Sequence, residues 1–259
     1  MNTLVFDIET VPDVATGRRL YGLADLNDDD VAKVMFHKRR EESGGSEFLR
    51  HHLHRVVAIS AVLRSGDALK VWSLGEIEAG EAELIRRFFD GIDKYTPTLV
   101  TWNGGGFDLP VLHYRALRHG VAAPRYWDTG DDDRDFKWNN YLSRFHARHT
   151  DLMDVLAGYQ PRACAPLDEI AQMLGLPGKL GMHGSQVWEQ YQAGNLQAIR
   201  DYCETDVLNT YLIWLRFELI RGHLEPAGYD GEIARVRDLL NSENRAHLQA
   251  FLKAWKVSD

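Results

Sequence analysis

Three short segments of this chain carry residues whose types and spacing can do chemistry. Asp7 and Glu9 lie two apart at the end of the apolar run Leu4-Val5-Phe6-Asp7-Ile8. On a strand both side chains project to the same face and can converge on one cation. In Trp102-Asn103-Gly104-Gly105-Gly106-Phe107-Asp108, an apolar strand runs into three glycines and an acid then opens a helix. Glycine there lets backbone and ligand approach closely because no Cβ intervenes, and a carboxylate is favourably placed at a helix N-terminus. A phosphate-gripping loop is disfavoured, since GxxxxGK[ST] is absent. In Tyr202-Cys203-Glu204-Thr205-Asp206, Tyr202 and Asp206 stand one helical turn apart and point the same way. The apolar stripe of that helix includes Ile199, Val207, Ile213, Trp214 and Phe217. Asp206 lies close to it, and a carboxylate near a buried face needs a partner, such as a metal ion. Taken singly, these segments read equally as a solvated acid pair, an N-cap after a tight turn, and a helix that packs.

The elements that must position these residues follow from periodicity. The run 4–8 is a strand; 55–63 and 68–74 are two more, joined by the hairpin turn Arg64-Ser65-Gly66-Asp67. Residues 81–92 place Leu84, Ile85, Phe88 and Phe89 at helical spacing, and 98–102 is a fourth strand after Pro97. The remainder is helical: 109–119, 151–157, 167–174, a long segment from 196 to about 221 capped by Asn195, and a final helix over 232–255. The stretch 26–54, with Gly44-Gly45 inside, reads as an insertion or mobile arm. The stretch 124–149 is irregular and mixes Asp131-Asp132-Asp133 with Arg134, Lys137, Arg144 and Arg148; both stretches are candidates for flanking a site.

Composition bounds the function. A chain of 259 residues, 44% hydrophobic and 26% charged, is expected to form one large domain or one domain with a small appendage, held without disulfides or structural metal. Cys164 and Cys203 lack any CxxC or Cys/His spacing and read as reduced thiols in a cytoplasmic protein. No stretch has the roughly 18 apolar residues of a membrane helix, and the acidic start does not suit a signal peptide. Lys+Arg number 30 against 38 Asp+Glu, so general basicity is not the means of holding nucleic acid. Clustered acids that bind divalent cations would account for part of that excess. His51, His52 and His54 are read as a surface loop, because no Cys or paired acid stands at ligand spacing. Asp28-Asp29-Asp30 and Asp131-Asp132-Asp133 lack the EF-hand pattern and are read as solvated turns. Asp201 and Glu204 are expected to point off the metal face, and Cys203 to serve helix packing.

FDIET at 6–10, NGGGFD at 103–108 and YCETD at 202–206 resemble, in order and approximate spacing, the three motifs of the DEDDy 3′-5′ exonucleases. The likeness is greatest to the proofreading domain of family B DNA polymerases and to the free-standing predicted exonucleases related to it. It extends over roughly residues 3–220, including LDEIAQMLGLPGK at 167–179. In the histidine subgroup a His stands five residues before the last Asp, where this chain has Asp201; the tyrosine subgroup has Tyr four before, where Tyr202 stands.

The resemblance implies an α/β ribonuclease H-like fold, a mixed sheet in β-β-β-α-β-α order flanked by helices. Residues 1–221 would form the exonuclease domain, with an insertion at about 20–54 and a helical extension over 222–259. It implies that Asp7, Glu9, Asp108 and Asp206 hold two divalent cations, Mg²⁺ or Mn²⁺, with Asp7 bridging them, for in-line displacement at phosphorus. Tyr202 would orient the attacking water. Thr10, Asn103, Phe107 and Lys179 are the candidates for substrate contacts, and Trp102, Trp127, Trp138 and Tyr141 are further possible stackers. The implied partners are single-stranded or frayed 3′ ends of nucleic acid, with DNA expected before RNA, nucleoside 5′-monophosphates as products and a place in DNA repair. Two other readings stay open at this stage. One is a catalytically silent ribonuclease H-like binding or scaffold module, the other a phosphohydrolase in which Asp7 itself attacks phosphorus.

Overall fold

The computed structural model describes residues 2–255. The strands are β1 (Asn2–Pro12), β2 (His54–Ser65), β3 (Ala68–Ser73), β4 (Thr98–Thr101) and β5 (His149–Asp151). They form one sheet in the order β3-β2-β1-β4-β5. β1, β2 and β3 are antiparallel neighbours, whereas β4 runs parallel to β1 and β5 parallel to β4. This mixed five-stranded sheet between helices is the α/β ribonuclease H-like arrangement. The helices are α1 (Val14–Tyr21), α2 (Asp28–Ser43), α3 (Glu81–Tyr95), α4 (Asp108–His119), α5 (Pro124–Trp127), α6 (Leu152–Leu156), α7 (Leu167–Met173), α8 (Val187–Gln192), α9 (Leu196–Ile220), α10 (Pro226–Ser242) and α11 (Ala246–Ala254). Among the described residues, no helix is long and apolar enough to cross a membrane.

Strand alternation divides β1 between two cores. Phe6 and Ile8 pack with Leu84, Ile85, Phe88 and Phe89 of α3 and with Leu109 and Leu112 of α4. Val5 points the other way, with Val62, Val71 and Val100, onto Val207, Leu208, Tyr211 and Leu212 of α9. Asp7 and Glu9 share the Val5 face by the same alternation and so lie under α9.

Four expectations change. The stretch 26–54 contains α2, which buries Val31, Ala32 and Met35, and Met35 shares a small core with Leu49 and Leu53. With only those three residues buried in sixteen, α2 leaves little apolar periodicity to read. Asp28-Asp29-Asp30 form its first turn, where acids suit the dipole, and Asn27 caps it by accepting the Asp30 N–H at 2.9 Å. The expected final helix over 232–255 is two helices broken at Glu243, whose backbone is extended. β5 is a three-residue strand that only its ladder to β4 defines. Asn195 precedes α9 without a side-chain capping bond and instead donates to Gln190.

A buried arginine locks the frame. Arg115 of α4, 2% exposed, donates Nε and Nη2 to the Glu81 carboxylate at 2.7 and 2.5 Å and Nη1 to Asp13 at 2.6 Å. Glu81 opens α3 and also accepts the Val56 N–H of β2, while Asp13 caps α1 just past β1. One guanidinium thereby joins the elements that carry Asp7, Glu9 and Asp108. Burial alone would push Asp13 up, but the hydrogen bonds from Arg115 and Thr16 outweigh it and hold that carboxyl below its ordinary value. Arg115→Ala removes the buried cation shared by two carboxylates, leaving Asp13 to Arg118 and Glu81 to His119, and is expected to lower stability by about 3 kcal/mol in urea unfolding. Asp13's share is fully present above its unfolded pKa, near 4, and is lost as pH falls through the lower folded value. The gap between wild type and variant should therefore narrow below about pH 4; a gap that stays constant would show that Asp13 is not part of the lock.

Candidate active site

The sheet, the glycine loop and α9 bring five side chains to one place. Asp7 and Glu9 come from the α9-facing side of β1. Asp108 comes from the first turn of α4, where its Oδ1 accepts the Ile8 N–H at 3.1 Å and so joins α4 to β1 between the two strand acids. Tyr202 and Asp206 come from one face of α9. Asp206 is buried, and its Oδ1 has no hydrogen-bond partner.

The electrostatics follow from crowding. Desolvation, then the charges of Asp108, Glu9 and Asp206, raise Asp7 well above its ordinary value. Desolvation and Asp206 do the same to Glu9 against partial relief from Lys179. Asp108 is raised by burial to about 7, even though backbone amides oppose the shift, and Asp206 is raised by burial to about 6 although Lys179 opposes it. Four carboxylates thus share one place with Lys179 as their main opposing charge. The Lys179 ammonium lies 5.4 Å from the Tyr202 ring centroid. Its backbone is tied down from two sides, because Asp168 accepts the Lys179 N–H at 2.7 Å and the Asn209 amide pairs with both polar groups of the adjacent Gly178 backbone. Burial and the nearby Asp206, Glu9 and Asp7 charges push the Tyr202 phenol upward, so it keeps its proton at neutral pH.

Cys203 does more than pack its helix. Its Sγ lies 3.5 Å from the Asp7 carbonyl oxygen and 3.7 Å from Asp7 Oδ2, within a group formed with Asp7 and Glu9. Burial, then the Asp7 and Glu9 charges, push the thiol up. It stays protonated and serves as a weak donor toward Asp7 rather than a thiolate ligand. Glu204 points away from the cluster: Ser73, Arg245 and His247 engage its carboxylate at 2.8, 2.6 and 2.9 Å. His247 also meets Asp201 at 3.2 Å.

Gly104 and Gly106 are needed for contacts between the loop and the residues just before it. A Cβ on Gly104 would meet Thr101 at 2.5 Å, and one on Gly106 would meet Asn103 Oδ1 at 2.4 Å. Asn103 holds a left-handed backbone, φ 65°. Phe107 is half-buried among Phe48, His51 and His54 at 5.1 to 5.8 Å between ring centroids. His54 is buried, which corrects its reading as a surface residue: Nδ1 meets the Thr10 hydroxyl at 2.8 Å and Nε2 meets the Leu49 carbonyl at 3.1 Å. Burial lowers its pKa to about 4, so the ring is neutral, with Thr10 donating to Nδ1. Tyr141 is core, stacked on Tyr126, and donates to the Pro97 carbonyl at 2.6 Å. Trp102 is half-buried, whereas Trp127 and Trp138 are exposed, Trp138 at 76%. Asp128 accepts the amides of Asp131, Asp132 and Asp133, which form a turn.

Asp151 is a site residue that the motifs missed. At the end of β5 its carboxylate accepts the Asn103 N–H at 2.8 Å and the Gly105 N–H at 2.9 Å, fixing the loop that leads into Asp108. The available signal was an acid directly before an apolar helical segment, the arrangement also found at Asp108.

Comparison with known proteins gives the family. A family described as "Predicted 3′-5′ exonuclease related to the exonuclease domain of PolB" matches residues 46–255, well over half of the chain, and the match begins after Asp7 and Glu9. A DNA polymerase of Archaeoglobus fulgidus is 25% identical over 148 residues, 56% of this chain and 18% of that one. A DNA polymerase of Pyrococcus glycovorans is 23% identical over 205 residues, 76% of this chain and 26% of that one. The family B DNA polymerase from the hyperthermophilic archaeon Pyrobaculum calidifontis superposes with a TM-score of 0.48 at 17% identity, over 97% of this chain and 27% of that one. The chain thus spans about a quarter or less of the polymerases it matches. By the extent of the family match, the chain belongs to the predicted 3′-5′ exonucleases related to the exonuclease domain of PolB.

Proposed function

We propose that this protein is a divalent-metal-dependent exonuclease that removes nucleotides from the 3′ end of single-stranded or frayed nucleic acid, DNA before RNA, and releases nucleoside 5′-monophosphates. On this reading residues 1–221 are the catalytic domain and 222–259 an extension whose helices brace α9. One observation carries the proposal: four carboxylates converge with too little positive charge, and Asp206 Oδ1 is buried without a partner.

That donor set fits a hard cation. The ligands are carboxylate oxygens, the nearby thiol is protonated, and an orphaned buried oxygen is what coordination would satisfy. Asp7, Glu9, Asp108 and Asp206 would hold two ions of Mg²⁺ or Mn²⁺. Bound there, the ions supply Lewis-acid chemistry to a displacement at phosphorus. The chain's own groups do the positioning. The protonated Tyr202 hydroxyl orients the attacking water but cannot take its proton. Lys179 offers its charge beside the phosphate path, Phe107 offers a ring to the terminal base, and Thr10 and Asn103 border the same opening.

A 5′-labelled single-stranded oligonucleotide incubated with Mn²⁺ or Mg²⁺ is expected to shorten stepwise, and chelator should stop it. Asp7→Ala should lose more than about a hundredfold in rate, beyond the usual penalty for an outer-shell partner. Tyr202→Phe, which misplaces the water without touching the acids, should lose up to about a hundredfold in kcat. Internal cuts, or a Tyr202→Phe enzyme as fast as wild type, would remove the corresponding claim.

Metal binding has a readout apart from turnover. Mn²⁺ at a hundredfold over its Kd should stabilise the wild type by about 2.7 kcal/mol, seen as a rise in Tm. Asp206→Asn should shrink that rise without unfolding the metal-free protein, because it removes a buried negative charge. An equal rise in both proteins would place the cation elsewhere.

A further inference from the structure

The end of the stretch 124–149, from Arg144 onward, supplies one wall of a pocket next to the glycine loop. We propose that this pocket takes an unpaired base of the substrate strand, at least two nucleotides 5′ of the one being removed, and so selects single-stranded nucleic acid. The inference rests on the exonuclease reading and adds a binding site to it.

The cavity measures about 180 Å³ and runs along the outer edge of β5. Gly105 lines it, so it continues directly from the loop that Asp151 holds beside Asp108. Its aromatic wall is Phe145 and Tyr159, with ring centroids 5.0 Å apart and edge-to-face. The Arg144 guanidinium lies 5.8 Å from the first ring and 5.1 Å from the second. Phe145 is 71% exposed, and neither ring belongs to a hydrophobic core of the fold. Packing therefore does not account for them. Tyr159 holds a left-handed backbone, φ 61°, directly after Gly158 in the same region. A tyrosine there is strained, and strain of this kind is kept where the surrounding structure fixes a side chain for use.

The pocket's guanidinium groups are ion-paired, so recognition rests on the two rings with those planar cations beside them. The carboxylates around the pocket are already engaged: Asp154 by Arg144 at 2.6 Å, Asp151 by two backbone amides, and Glu218 by Arg221 at 2.8 Å. A strand laid across the rim meets two guanidinium groups beside a pair of rings. That combination of cations and stacking faces binds single strands without reading sequence. The volume of about 180 Å³ suits one planar ring system, which a strand presents only where it is unpaired.

Steady-state kinetics in Mn²⁺ on oligothymidylate of twelve nucleotides and on the thymidine dinucleotide test this. Phe145→Ala removes an exposed ring and leaves the core intact. KM for the twelve-nucleotide strand is expected to rise about tenfold with kcat within about twofold, the loss of one stacked base. The dinucleotide, too short to reach the pocket, should be cleaved by variant and wild type alike, and Phe145→Trp should restore the lower KM. An unchanged KM on the longer strand overturns the proposal and leaves the exonuclease reading standing, as does a fall in kcat on both substrates. Wild type that cleaves neither substrate overturns the exonuclease reading and this proposal with it.

Discussion

Four carboxylates crowded onto one patch, with a single lysine as the main opposing charge, form the constraint around which this molecule is organised. Each of Asp7, Glu9, Asp108 and Asp206 has its ionised form penalised first by lost hydration and then, for Asp7 and Glu9, by the other acids. A chain free to relax would spread them apart. Holding them together requires a frame stiffer than their repulsion, and a cation is the natural complement once they are held.

The frame is built from buried bonds that each join two elements. The Ile8 N–H to Asp108 joins the central strand to α4, and Arg115 joins α4 to α3, β2 and the end of β1. Asp151 fixes the glycine loop, and Asn209 fixes the loop of Lys179 against α9. On the far side of α9, Ser73, Arg245 and His247 hold Glu204, so β3 and α11 together set the rotation of the helix that presents Tyr202 and Asp206. A helix held on one face by hydrogen bonds and on another by Tyr211 and Leu212 in the core cannot turn its acids outward.

Fixed geometry also sets the protonation and partners of the groups beside the acids. The Cys203 thiol, pressed against Asp7, stays protonated and is a weak donor toward that carboxylate. The Tyr202 phenol, buried and surrounded by negative charge, stays protonated and is a hydrogen-bond donor rather than a base. His54, neutral in its burial, holds Thr10 and packs on Phe107, which ties the first motif to the second through the segment that follows α2.

The succession of the first four strands along the chain and the three acidic segments were legible in the sequence, because alternation and helical spacing are local properties that tertiary contacts seldom reverse when the pattern is strong. The α/β class and the face shared by Asp7 and Glu9 follow from a period of two, and the common face of Tyr202 and Asp206 from a period near four. What the chain order could not express was any pairing between distant residues. β5 exists only because β4 offers it a ladder, and α2 is mostly solvent-facing, so neither leaves a pattern strong enough to read. Asp151 matters because the Asn103 and Gly105 amides fold onto it, and Cys203 because the first strand passes beneath it. Residue type and spacing thus determined which groups could do chemistry; the tertiary structure decided which of them meet, since burial and unrelieved charge arise only where separate segments close on one another.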